Sequence, residues 1–100
     1  MRKSIKLGMG AVLALTVSSA AVMADNIKIA FIDPLSGPFA STGTNGLHQF
    51  NFAADYMINA NGGVLGGDTF EILGFDNKIS PKESLIQLQV AIDQGVRFIV

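Results

Sequence analysis

Hydroxyl side chains and glycines crowd one stretch, Pro34-Leu-Ser-Gly-Pro-Phe-Ala-Ser-Thr-Gly43, with Thr44 just beyond it. A glycine-rich turn between a strand and a helix is where phosphate loops sit, but this one fails the pattern. It has one residue too many between Gly37 and Gly43, and no lysine follows to meet a phosphate charge. No Gly-x-Gly-x-x-Gly occurs, so the dinucleotide pattern fails as well. Ser36 and Thr44 suit turn and cap chemistry. Ser41 and Thr42 support two readings: turn residues, or hydroxyls that join free helix amides to hold a small carboxylate or zwitterion. Phe39 supports two readings, a lid contact or a core residue of the loop, with the core favoured. His48 is the only histidine, with Asn51 and Asp55 at +3 and +7 on one helical face. One imidazole and one carboxylate two turns apart are too few for zinc, so that face reads as solvated. Ser36, His48 and Asp33 could be drawn as a triad, but nothing in the sequence brings them together. No catalytic residue, metal or cofactor is expected.

The elements that must position these residues alternate. Asn26 to Ile32 is short, β-branched and apolar, closed by Asp33-Pro34, and reads as a strand. A loop follows to Gly43. From Thr44 to Asn61 the period is helical, with Leu47, Phe50, Ala54, Met57 and Ile58 on the apolar face and His48, Asn51, Asp55 and Asn59 on the polar one. Asn61-Gly62-Gly63 stops the helix, and Gly66-Gly67 marks a turn. That second glycine cluster precedes a strand, the wrong polarity for a helix N-terminus to meet an anion. Asp68 to Phe75 is a second strand. Ser80-Pro-Lys-Glu83 is a capping box, opening a helix that buries Leu85, Leu88 and Ile92 with Ile86 and Val90 beside them. Gly95 ends it, and Val96 to Val100 is a third strand. β-α-β-α-β with short connections specifies an α/β, parallel three-layer sandwich. Right-handed crossovers with the first strand central place the helices on opposite faces. The switch point then lies between strands 1 and 3, with the loop from Asp33 to Thr44 at its carboxyl end. With one helix per face, the sheet is left with poorly covered faces and a raw edge.

The chain has 100 residues and a formal net charge of −1. Arg2, Lys3 and Lys6, the uncharged run Leu7–Val17, and small residues up to Ala24 read as a secretory leader cut after Ala24. The alternative is a membrane anchor, since 18 uncharged residues run from Leu7 to Ala24. Gly8, Gly10, Thr16, Ser18 and Ser19 dilute that run. Cleavage leaves 76 of the 100 residues, and three of the seven basic residues leave with the leader. Four basic residues then face eight acidic ones, a net charge of −4. That balance argues against nucleic acid as a partner. The absence of cysteine excludes disulfides, thiolate metal sites and lipid attachment to a cysteine.

Ile27-Lys-Ile-Ala30, Pro34–Gly43, Ile58-Asn-Ala-Asn-Gly-Gly-Val-Leu-Gly66, Asp76 with Ser80-Pro81, and Gly95-Val-Arg-Phe-Ile-Val100 together resemble a known family. It is the type I periplasmic substrate-binding proteins of ABC transporters, in the branched-chain amino-acid (Leu/Ile/Val) group. The resemblance implies two α/β lobes that close on a ligand by hinge motion. Asp25–Val100 would be the N-terminal part of the first lobe, with roughly 250–300 further residues completing the protein. It implies a periplasmic location, a small amino-acid-like ligand, an ABC permease as partner, a monomeric full-length protein and no covalent chemistry. In the family, the residue before the loop's last glycine lines the pocket and is often large. Here it is Thr42, with Ser41 beside it, which implies a different or larger ligand. Two other readings are a sensory domain of the same fold on a membrane receptor, marked by a downstream transmembrane helix, and a flavodoxin-like or receiver-like module. The leader argues against the last, as does the single acid at the end of strand 1.

Overall fold

The computed structural model describes residues 23–100. The expected leader lies outside the described residues, save for Met23 and Ala24. β1 runs Asn26–Asp33, α1 Ala40–Phe52, β2 Thr69–Asp76, α2 Pro81–Asp93 and β3 Phe98–Ile99. The three strands form one parallel sheet, as the alternation implies, and β1 is central, in the order β2-β1-β3. β1 pairs with β2 along its whole length, from Asn26 opposite Thr69 to Asp33 opposite Asp76. β3 is shorter than Val96–Val100: Ile29 faces Phe98 and Ala30 faces Ile99. The Val100 amide adds a bond to the Ala30 carbonyl at 2.9 Å. Val96 instead turns into the core, 5 % exposed.

Alternation along β1 sends its side chains to two faces. Ala30 joins Phe75, Ala91 and Val96 in a buried cluster on the α2 side, flanked by Ile32 and Leu73. Phe31 faces α1, its ring 5.5 Å from that of Phe50. The helices therefore cover opposite faces. Close packing explains two glycines. A Cβ at Gly46 would come within 2.9 Å of the Phe31 ring, and one at Gly74 within 2.8 Å of the Leu47 side chain.

Both helices differ from the expected pattern in which residues they bury. α1 begins at Ala40, not Thr44, after a short 3-10 turn over Gly37–Phe39. It passes into a wider π turn over Ala53–Ile58 and a closing 3-10 turn over Asn59–Asn61. A π turn (i→i+5) fits more residues into each turn and narrows the angle between successive side chains, so the apolar face shifts and Met57, expected inward, is 65 % exposed. Ala54 stays buried. Gly62, in the left-handed conformation at φ 92°, ends the helix, and the Gly63 amide returns to the Ile58 carbonyl at 2.9 Å. In α2 the residue that enters the core is Ala91, while Leu88 is half-buried. Leu85, Ile86, Val90 and Ile92 are exposed, Leu85 to 69 %. A narrow sheet contacts only a strip of the helix, and small Ala91 allows the close approach.

Candidate functional site

The carboxyl ends of β1 and β2 lie side by side, so their exit loops meet. Asp76, the last residue of β2, organises the meeting. Its Oδ1 accepts from the Leu35 amide at 2.9 Å and from the Lys78 amide at 3.0 Å. The Ser36 hydroxyl also donates to it, and this bond, followed by those two amides, holds the carboxyl below its ordinary value of 3.8. One carboxylate thus ties the β1 exit to the β2 exit. Asp33 contributes its backbone carbonyl to the Asn77 amide at 3.2 Å.

The β2 exit is strained. Lys78 and Ile79 both have positive φ, 53° and 58°, a region costly for a β-branched residue. Asn77 holds it by accepting the Ile79 amide on Oδ1 at 3.1 Å and the Ser80 amide on its carbonyl at 2.9 Å. α2 then starts with Ser80 as its cap, the Oγ accepting from the Glu83 amide at 3.1 Å. Only this half of the expected box forms: the Ser80 amide donates to the Asn77 carbonyl instead, and Glu83 Oε1 accepts from Gln87 Nε2. Asp33, Pro34, Asn77, Ile79, Ser80 and Leu85 border an open groove of about 680 Å³ on the α2 side of this edge.

The expected site residues take new places. Ser41 and Thr42 are not in a loop. They stand exposed on the first turn of α1, at the carboxyl end of β1. No side chain caps that helix start, and the Ala40 amide donates to the Gly37 carbonyl of the 3-10 turn that runs into it. Neither residue borders the groove on the α2 side. Ser36 serves Asp76 rather than a cap, Thr44 lies a turn inside α1, and Phe39 is 56 % exposed rather than core. Gly43 explains how the helix starts so early. It is buried, and a Cβ there would collide with the Pro34 carbonyl, so only glycine lets α1 press on the β1 exit. His48 and Asp55 are exposed on α1 and its continuation. Among the described residues, no three His, Cys, Asp or Glu side chains gather where they could hold a metal.

Two residues carry more than the sequence assigned them. In the sequence Asp76 stands only among the residues that carry the family resemblance; a carboxylate just past a strand and followed by Asn77-Lys78 is the signal for its amide-binding role. Asn59 read as solvated, yet its Nδ2 donates to the Phe70 carbonyl at 2.8 Å and its Oδ1 accepts the Phe70 amide at 2.9 Å.

Comparison with known proteins decides the family. The periplasmic binding protein family model matches residues 26–100, which is β1 through β3 without a break. The chain belongs to the periplasmic binding protein family. It is 31% identical to the leucine-specific-binding protein of Salmonella typhimurium, over all of this chain and 26% of that protein. It is 29% identical to the Leu/Ile/Val-binding protein of Escherichia coli K12, over 88% of this chain and 23% of that one. Leu/Ile/Val-binding protein homolog 6 of Brucella abortus is 28% identical, over 94% and 24%. The chain spans about a quarter of the length of these relatives. All three are named as binding proteins. In this family's frame, the parallel α/β sheet with a switch point beside β1 is the expected start of a type I fold.

Proposed function

We propose that this chain forms the opening of the first lobe of a periplasmic solute-binding protein that captures a branched-chain amino acid or related small polar solute for an ABC permease. The observation that carries this is the unbroken family match from β1 to β3, over the same residues that form the switch-point sheet. The β1 exit and the start of α1 supply one wall of the site. Ser41 and Thr42 offer two exposed hydroxyls on the first helical turn, groups that suit a small carboxylate or zwitterion. Thr42 is small for a wall residue, so the pocket favours a solute different from or bulkier than leucine. No covalent step belongs to this role, and no metal or cofactor. Met1–Ala24 directs export and is removed, leaving the mature chain at Asp25. The complete protein acts as a monomer.

A chimera tests this reading. Asp25–Val100 replaces the matching quarter of the Salmonella leucine-specific-binding protein, and the folded product is titrated calorimetrically with individual amino acids. Saturable binding of at least one is expected, with the preference shifted from leucine. A folded chimera that binds no amino acid contradicts the proposal.

A further inference from the structure

Asp25 is fastened to β2 from two sides. Its backbone nitrogen donates to Asp68 Oδ1 at 2.8 Å, and its carbonyl accepts the Thr69 amide at 2.9 Å. One residue on, Asn26 Nδ2 donates to Glu71 Oε1 at 2.6 Å, and the Thr69 hydroxyl donates to Asn26 Oδ1 at 3.1 Å. Together these bonds hold the start of β1 against the start of β2. Asp68 itself is fixed, because its amide and carbonyl both bond Val64 in the preceding turn.

We propose that removal of the leader turns the Asp25–Asp68 hydrogen bond into an ion pair, so that processing itself clamps the new chain start to β2. This rests on the proposed cut after Ala24. Hydrolysis of the Ala24–Asp25 peptide bond consumes one water. The hydroxyl passes to the Ala24 carbonyl carbon, and the hydrogen passes to the Asp25 nitrogen. That nitrogen then takes a proton from solvent and becomes an ammonium. It has nowhere far to go, since the next carbonyl stays bonded to Thr69. A neutral donor 2.8 Å from a carboxylate oxygen is thereby replaced by a charged one, and charge-assisted bonds are the stronger kind.

The groups facing the new ammonium are mixed in sign. Asp68, the Asp25 carboxylate and, through Asn26, Glu71 favour the charged form. Lys28 and Arg97 border the shallow groove that Asp25 shares and oppose it. Lys28 is partly engaged, its Nζ donating to the Gln94 carbonyl at 3.1 Å. The contact carboxylate dominates at this distance. The α-amino group should therefore titrate above its ordinary range of ~7.7–8.0, because the charged form faces the contact carboxylate. A raised folded-state value means the stabilisation is complete below the ordinary α-amino range. It is lost as pH rises through the raised value.

The exported protein tests this. Its mass gives the first residue, and ¹⁵N NMR titration gives the α-amino pKa. The same titration is run on Asp68→Asn and on a form that retains Ala24 and so moves the amine one residue away. The expected results are a start at Asp25 and a value raised above the ordinary range that returns to it in both altered forms. The Ala24-retaining form alters no side chain, so it carries the comparison if Asp68→Asn does not fold. A start elsewhere overturns the clamp together with the cut site. A start at Asp25 with an ordinary value overturns the clamp alone and leaves the leader reading standing. An elevated value that persists in both altered forms also overturns it.

Discussion

Gly43 and Asp76 show how single residues shape the carboxyl edge of this sheet. Gly43 lets the first turn of α1 rest on the Pro34 carbonyl. Gly43→Ala forces these apart, and a loss of about 1–3 kcal/mol is expected, the scale of overpacking a tight contact. Thermal or denaturant unfolding of the parent and the variant measures it; equal stability would mean the approach is looser than it looks. Asp76 acts through charge. Its carboxyl is held low by Ser36, Leu35 and Lys78, so its contribution to stability is complete above the ordinary value of 3.8 and fades as pH falls below that towards the folded value. Asp76→Ala is expected to flatten this part of the acid limb, read as melting temperature between about pH 5 and pH 2. An unchanged acid limb would remove Asp76 from the account. Neither role was plain in the sequence. Gly43 looked like a loop glycine because its reason to exist is the backbone of Pro34, nine residues earlier. Asp76 looked like a strand end because its partners at Leu35 and Ser36 come from the other side of a helix.

At the scale of elements, the sequence was most legible where local pattern decides. β1, β2, the Gly62 stop and the Ser80 cap all follow from short-range chemistry. It was least legible where two elements negotiate a contact. The π turn at Ala53–Ile58 shifted the buried face of the first helix, and no residue in the run announces it. The second helix meets the sheet through Ala91, so its larger apolar residues remain outside. Asn59 is the clearest case. β2 is an edge strand, and the Asn59 amide covers both backbone groups of Phe70 on that edge. This fixes the end of the helical run against the strand and blunts the edge for foreign pairing. Asn59→Ala is expected to cost about 1–3 kcal/mol, since it leaves both Phe70 groups without partners. Hydrogen exchange gives a sharper readout: the Phe70 amide should lose protection while that of Ile29 keeps it. Equal loss at both would indicate global destabilisation instead of a local clasp.

At the scale of the molecule, topology does more than any motif. The order β2-β1-β3 sends the two crossovers in opposite directions and brings the β1 exit, the start of α1 and the strained β2 exit to one edge. The opposite edge holds Asp25, Lys28 and Arg97. Considerable apolar surface is left uncovered, including Leu85 and Ile92 on α2 and Phe98 and Ile99 on β3. A sheet with one helix per face leaves this much apolar surface open, as the strand count implied. The site was legible from the sequence only as a place. Strand order located the edge, while the positions of Ser41 and Thr42 on a helix, and the Asp76 tie between the two strand exits, needed the fold. If these residues form only one wall of a pocket, as proposed, Asp25–Val100 alone is expected to show no thermal shift with leucine, isoleucine or valine; a saturable shift would mean the pocket lies within these residues.

On the proposed function, ligand meets this chain at the carboxyl ends of its strands. The direct measurement is backbone amide chemical-shift mapping of the chimera described above, with and without the amino acid it binds. The largest changes within Asp25–Val100 should fall at Ser41, Thr42 and their neighbours at the start of α1, with smaller ones reaching Asn77–Ser80. Changes concentrated instead at Asp25, Lys28 and Arg97, with the start of α1 silent, would contradict the account.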